Sequence, residues 1–165
     1  MAKRSDASAG TPATLALTRA GVAFRALAYE HDPRAAAYGL EAAEKLGLDP
    51  ERVFKTLLAT VDGSLAVAIV PVAMQLDLKA FAQALGGKRA EMADPAVAER
   101  KTGYVVGGIS PIGQKTPLPT VLDESAIVCE QVYVSGGRRG LDLELAPDDL
   151  LAVTSGVYAP IARAR

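Results

Sequence analysis

The stretch "VFKTLLATVDGSLAVAIVPV" occupies residues 53–72, and its reading decides the fold. Two apolar runs flank Asp62 and Gly63. An Asp-Gly pair between such runs is a strong short-range signal for a two-residue hairpin. "VFKTLLATV" and "SLAVAIVPV" therefore read as paired antiparallel strands. Lys55 breaks the pattern of the first. On a two-residue period it shares a face with Val53, Leu57 and Ala59, while Phe54, Thr56, Leu58 and Thr60 take the other. Burying an ammonium among apolar neighbours without a partner is costly. Two readings of Lys55 stand side by side. It snorkels outward from a strand end, or it points into a pocket and binds an anion or a carbonyl oxygen.

The hairpin is flanked by helices. Thr11 before Pro12 is an N-cap and N1 signal, and Gly21 closes that helix. "VAFRALAYE" reads as a strand and "HDP" as a turn. "AAAYGLEAAEKLG", residues 35–47, reads as a helix ended by Gly47. "LDPERV" restarts a helix with Asp49 as cap and Pro50 at N1. After the hairpin, "LDLKAFAQALGG" is a helix capped by Asp77 and stopped by Gly86. "ADPAVAERKTG" is another, capped by Asp94 and ended by Gly103. "TVLDES", "IVCEQVYVSGG" and "LDLELA" read as strands, and "APDDLLAVTSG" as a closing helix. Residues 103–120 are rich in glycine and proline, so they form a long loop, ordered or disordered; long loops in compact domains are usually functional. The expected fold class is α+β, with a mixed, mostly antiparallel sheet.

Composition narrows the function. With 165 residues, half of them apolar, the chain has the length and the material for one cored domain. Residues 1–10 read as a flexible tail and residues 11–165 as the domain. A formal net charge of -1 lacks the basic footprint of a nucleic-acid binder. Cys129 is the only cysteine and His31 the only histidine. That excludes an internal disulfide and zinc centres built on several such ligands. No run reaches the roughly 18 apolar residues of a membrane span, and the first residues lack a signal-peptide core, so a cytoplasmic protein is expected.

Few residues stand out for chemistry. The loop "GGISP", residues 107–111, holds paired glycines that let backbone approach a ligand and aim amides at it. The bland alternative is a tight surface turn. In "YVSGGRRGLDLEL", Asp142 follows the glycine turn and could bind a substrate amine. A solvated hairpin face is the preferred reading for Glu144, Arg138 and Arg139. His31 reads as a turn residue and Cys129 as a buried structural thiol. No nucleophile elbow and no P-loop occur.

Taken in order, "YEHDP", "KLGLDPERVFKTLL", "VPVAMQLDLK", "EMADPAVAERKTGYVVGGISPIGQK", "LPT" and "VYVSGGRRGLDLELAP" resemble the YbaK family of free-standing aminoacyl-tRNA deacylases. The resemblance runs from about Thr14 to near the C-terminus. It is nearest to the bacterial Cys-tRNA(Pro) deacylases, which also act on Cys-tRNA(Cys). It implies a mixed sheet curved like a barrel and wrapped by helices, the fold of the editing domain inserted in prolyl-tRNA synthetases. It implies removal of cysteine mischarged onto proline tRNA, a task that arises because a small steric difference discriminates poorly. Lys55 matches the family lysine, expected to hold the terminal nucleotide and acyl ester. Gly107 and Pro111 match a GxxxP loop, with Gly107 and Gly108 presenting backbone to substrate. Tyr29, Tyr38, Ser135 and Asp142 match pocket positions, although Tyr38 replaces a phenylalanine of close relatives. The resemblance implies that the substrate thiol is the nucleophile, that no metal or cofactor takes part, and that prolyl-tRNA synthetase is the partner that supplies tRNA. Lys88, Arg89, Arg100, Lys101, Lys115, Arg138 and Arg139 are the cations that could touch the tRNA body. Two alternatives remain: editing of Ala-tRNA(Pro) or another small acyl-tRNA by water, and a non-catalytic module that binds synthetase or tRNA.

Overall fold

The computed structural model describes residues 10–35 and 37–165, so the tail expected over residues 1–10 lies, but for Gly10, outside the described residues. The elements in chain order are α1 (Pro12–Ala20), β1 (Arg25–Ala28), α2 (Tyr38–Leu46), β2 (Phe54–Val61), β3 (Ser64–Pro71), β4 (Gln75–Leu76), α3 (Leu78–Ala84), β5 (Ala90–Met92), α4 (Pro95–Thr102), β6 (Thr120–Asp123), β7 (Val132–Ser135), β8 (Leu141–Leu145), α5 (Pro147–Thr154), β9 (Val157–Ala159) and β10 (Ala162–Arg163). A 3-10 helix (Glu124–Val128) joins β6 to β7.

The central hairpin forms as its turn dictates. Asp62 and Gly63 both take positive φ, 49° and 87°, the backbone of a type I′ turn whose twist matches that of the strands. Pairing runs from Phe54↔Pro71 to Val61↔Ser64. β5 adds to the outer side of β2 near the turn, from Ala59↔Met92 to Val61↔Ala90. β6 joins β3 in parallel and β9 joins β6 in parallel, giving the order β5-β2-β3-β6-β9. A second sheet, β1-β8-β7, is antiparallel. A parallel bridge between Val53 and Tyr133 links it to the start of β2. Five of the seven strand pairings are antiparallel, so the mixed, mostly antiparallel α+β reading holds. The implied barrel is not closed: β1 and β9 each pair on one side only.

Both sheets send residues into one core. Ala26, Phe54, Leu58, Ile69, Leu122, Val134 and Leu143 meet there with Leu17 of α1 and Leu150 of α5. A second cluster lies on the other face of the large sheet, where Phe81 of α3 packs against Ala59, Val70 and Val121. Phe81 is fully buried, and its truncation to alanine would cost about 3–5 kcal/mol.

Helix ends follow the sequence signals closely. Thr11 and Thr14 form a capping box, Asp77 accepts from the Ala80 amide at 3.0 Å, and Asp94 accepts from Ala96 at 2.8 Å. Several segments differ from expectation, among them β4 and β5, which the sequence reading did not assign. The restart after Asp49 is a single turn, because Val53 is already committed to its bridge and leaves no room for a helix. Asp49 closes that turn through the Glu51 amide at 2.9 Å. β1 is shorter than the nine residues read as strand. The strand expected from Ile127 begins only at Val132, since Asp123 caps the 3-10 helix and leaves Ile127 and Val128 exposed. Finally, β9 and β10 carry no sequence signal. β9 is held by its parallel pairing with β6, and β10 follows where the Asp123 carboxylate accepts the Ile161 and Ala162 amides at 3.0 and 2.9 Å.

The loop over residues 103–120 is ordered. Tyr104 donates its hydroxyl hydrogen to the Ile112 carbonyl at 2.7 Å, and Ser110 and Ile112 are buried beneath it. The Val106 amide donates to Glu99 of α4 at 2.8 Å. Among the described residues, no helix is long and apolar enough to cross a membrane.

Candidate functional site

The fold leaves one stretch of β2 open. Val53 is bridged to β7, and residues 59–61 are paired with β5. Between them, residues 54–57 have no strand partner on the side away from β3 among the described residues. The Val72 amide bonds the Val53 carbonyl, which sets the antiparallel alternation. Lys55 and Leu57 thus direct their backbone groups to β3, and Thr56 directs its own into the gap. A cavity of about 380 Å³ opens there, within the range of small-molecule sites.

The strand gives the cavity two different walls. Phe54, Leu58, Ala93, Ala98 and Ile109 make an apolar wall that belongs to the main core. The other wall carries Lys55, Tyr29, Tyr38, Ser135, Asp142, Arg138 and Arg165. Lys55 is half-buried and makes no ion pair among the described residues. Burial and the nearby Arg165 guanidinium lower its ammonium pKa. Arg165 is held in place by donating to the Val72 carbonyl at 3.2 Å. Opposite, Asp142 faces Ser135 across the β7–β8 pair. It is only 6% exposed, and burial pushes its carboxyl up to about 7. Burial and the Asp142 charge push the Tyr29 phenol up to about 12. One cavity is thus lined both by a cation with no ion pair among the described residues and by a carboxyl that ionises reluctantly. The pair suits a ligand that carries an anionic or oxyanion group at one end and an amine at the other.

The glycine loop borders the cavity at Gly107. Its φ is 89°, and an added Cβ would lie 2.8 Å from Arg139 Nε and 2.9 Å from the Tyr38 ring. A side chain there would force Arg139 or the Tyr38 ring to shift. Arg139 sits 5.2 Å over that ring and donates to the Val106 carbonyl at 3.0 and 2.6 Å. One arginine therefore clamps α2, the loop and the β7–β8 turn together.

The site residues read from the sequence divide as follows. Lys55, Tyr29, Tyr38, Gly107, Ser135 and Asp142 come together around the cavity. Gly108 and Pro111 do not line it. Gly108 packs against the Arg138 backbone, which a Cβ would meet at 2.8 Å, and Pro111 is buried in the loop. Arg138 and Arg139 are exposed, as the solvated reading expects, although Arg138 also lines the cavity and Arg139 takes part in the clamp. Lys88, Arg89, Arg100, Lys101 and Lys115 are exposed and off the cavity. His31 bonds Glu41 at 2.8 Å in its turn, and Cys129 is partly exposed rather than buried; neither lines the cavity. Sequence reasoning missed Thr56 and Arg165. Thr56 was visible as a polar residue on an apolar strand face. Arg165 carried no signal. No group of three or more His, Cys, Asp or Glu side chains that could hold a metal ion occurs among the described residues.

Comparison with known proteins places this geometry. Residues 32–153 match the family model of the aminoacyl-tRNA editing domain. A Cys-tRNA(Pro)/Cys-tRNA(Cys) deacylase named EbsC, from Enterococcus faecalis, is 45% identical over 121 residues, 72% of this chain and 73% of that protein. A proline–tRNA ligase of Maridesulfovibrio salexigens is 30% identical over 100 residues, 61% of this chain and 17% of the ligase. A solved structure described as a trans-editing enzyme for prolyl tRNA synthetase superposes with a TM-score of 0.83 at 26% identity, covering 95% of this chain and 98% of that one.

Proposed function

Because the chain belongs to the aminoacyl-tRNA editing domain family, we propose that it deacylates cysteine mischarged onto proline tRNA, and Cys-tRNA(Cys) as well. The observation that carries this reading is the unpaired Lys55 in the cavity of a chain 45% identical to a protein of that name. In the reaction, the substrate's own thiol sulfur attacks its ester carbonyl carbon. The carbon–oxygen ester bond breaks, the ribose oxygen leaves and takes up the thiol proton, and cysteine departs as a cyclic thiolactone. Lys55 holds the terminal phosphate or the developing oxyanion as a point charge. Asp142, with Tyr29 beside it, takes the α-ammonium, whose charge offsets the cost of ionising a buried carboxyl. Tyr38 and Gly107 shape the mouth, and Ser135 adds a hydroxyl next to Asp142. The protein itself supplies no nucleophile, which fits a cavity wall without cysteine or histidine. A serine hydroxyl is a weaker nucleophile near neutral pH, so Ser-tRNA reacts slowly.

The ligase match supports a partnership with prolyl-tRNA synthetase, which carries a related segment of its own. With a net charge of -1 the chain binds free tRNA weakly, and the synthetase delivers the substrate. The test is single-turnover deacylation of Cys-tRNA(Pro), Ala-tRNA(Pro) and Ser-tRNA, with mass detection of the released product. Thiolactone from Cys-tRNA is expected. Ala-tRNA cleaved faster than Cys-tRNA would move the reading to water-driven editing. Binding of acyl-tRNA with no turnover, with or without synthetase, would reduce the protein to a binding module.

A further inference from the structure

Arg165 reaches the cavity by a route of its own. It lies beyond residues 32–153, which the editing-domain model matches. β10 pairs antiparallel with β4, Ala162 with Leu76 and Arg163 with Gln75, and so carries the chain back towards the end of β3. There Arg165 Nη2 donates to the Val72 carbonyl at 3.2 Å, while the Val72 amide donates to the Val53 carbonyl. Val72 and Arg165 both line the cavity. The guanidinium is exposed and makes no ion pair among the described residues. Three cations, Lys55, Arg138 and Arg165, line this cavity beside one carboxyl, Asp142, whose ionisation burial opposes. Like charges gathered in this way oppose one another, and after burial it is Arg165 that lowers the Lys55 ammonium pKa. A guanidinium cannot relieve that repulsion by losing its proton, but a bound anion can.

We propose that Arg165 is the phosphate contact of the site: its guanidinium binds the phosphodiester on the 5′ side of the terminal nucleotide and leaves Lys55 to the ester. The two cations suit different anions. A guanidinium presents parallel N–H groups in a planar fork, which matches two oxygens of one phosphate. An ammonium is a compact point charge, which suits the single oxygen of a developing oxyanion. Their positions agree with that division. Lys55 is half-buried on β2, whereas Arg165 is exposed and tethered at the Val72 carbonyl, where a strand of nucleic acid can reach it without entering the cavity. The assignment rests on the deacylase reading and deepens it, because it adds a grip on the nucleotide that is independent of the amino acid.

The experiment uses two non-reacting probes built on 3′-cysteinylamino-3′-deoxyadenosine. One keeps its 5′-hydroxyl, and the other carries a methyl phosphodiester there, the linkage found in tRNA. Calorimetric titration of the wild type at low salt should favour the phosphodiester probe by about five- to tenfold, less than a buried charged hydrogen bond would give, because Arg165 is exposed. Arg165→Gln should reduce that preference to within about twofold and bind the 5′-hydroxyl probe as the wild type does, which also shows that the variant is folded. Lys55→Ala should weaken both probes and keep the preference between them. An Arg165→Gln protein that keeps the preference overturns the proposal. So does one that weakens both probes equally, since Arg165 would then serve the cavity as a whole. A Lys55→Ala protein that loses the preference overturns it by giving the phosphate to Lys55. A wild type that binds both probes alike, or neither, overturns it too. A wild type that prefers the phosphodiester yet deacylates no acyl-tRNA would defeat the proposed function and leave the Arg165 assignment standing.

Discussion

Replacing Asp142 with asparagine should make the protein more stable at alkaline pH and leave it little changed in acid. Asp142 is 6% exposed, and burial raises its carboxyl from 3.8 to about 7. The folded state thus holds this proton longer than the unfolded chain does. The contribution is fully present below about pH 4 and is lost as pH rises through 7. A shift of about three units at ~1.4 kcal/mol each amounts to ~4 kcal/mol, with somewhat more than half of it falling between pH 5 and pH 8. Asparagine has nearly the same shape and does not titrate. Urea unfolding of wild type and Asp142→Asn at pH 5, 6, 7 and 8 gives the difference directly, and common titrations cancel. The advantage of Asp142→Asn should grow by ~2–3 kcal/mol over that span. A difference that stays flat, or shrinks as pH rises, would refute the claim that this carboxylate is buried at a cost. With a non-reacting amide analogue, 3′-cysteinylamino-3′-deoxyadenosine, bound, the growth should be smaller, because a ligand ammonium stabilises the charged form.

Lys55→Ala should fold normally, since Lys55 has no ion pair to lose among the described residues, and should slow single-turnover deacylation by about 10²- to 10³-fold; a wild-type rate would remove Lys55 from the mechanism. Gly107→Ala forces a side chain into a φ of 89° and against the Tyr38 ring. A stability loss of ~1–2 kcal/mol for the backbone alone is expected, together with a lower kcat/KM from the displaced ring, and unchanged values of both would contradict the contact. Asp123→Ala takes away the acceptor for the Ile161 and Ala162 amides. A loss of ~2–4 kcal/mol is expected, with faster hydrogen exchange at Ile161, and retained protection there would mean another group holds this segment.

How much of this was legible depended on how local each signal was. The hairpin was legible because Asp62-Gly63 determines its turn from two residues. The caps at Thr11, Asp77 and Asp94 were legible for the same reason: one side chain reaches an amide two or three residues away. The short strands β9 and β10 were not, because β9 depends on pairing with the distant β6 and β10 follows a contact to a carboxylate some 38 residues earlier in the chain. The 3-10 helix hid behind "IV", two apolar letters that turn out to be exposed. At the site, Lys55 announced itself by breaking a local apolar pattern. The glycine loop and Asp142 stood out through their glycine turns, and the family resemblance added Tyr29, Tyr38 and Ser135, which no spacing rule joins. Within that loop Gly108 and Pro111 lend support without bordering the cavity. Arg165 could not be foreseen, since it reaches the site only through a carbonyl 93 positions away.

The open stretch of β2 has a consequence for solubility. A strand edge with unsatisfied backbone groups is a template on which another chain can add, and proteins guard such edges closely. Here the run without a strand partner covers only residues 54–57, with β7 obstructing one end and β5 the other. Tyr38, Gly107 and the Arg139 clamp stand over it. An intruding strand would need more length than the gap allows, whereas a small ester needs less. So short a gap is a poor template for strand addition while it still admits a small ligand, and a variant that loses β5 should present a longer open edge.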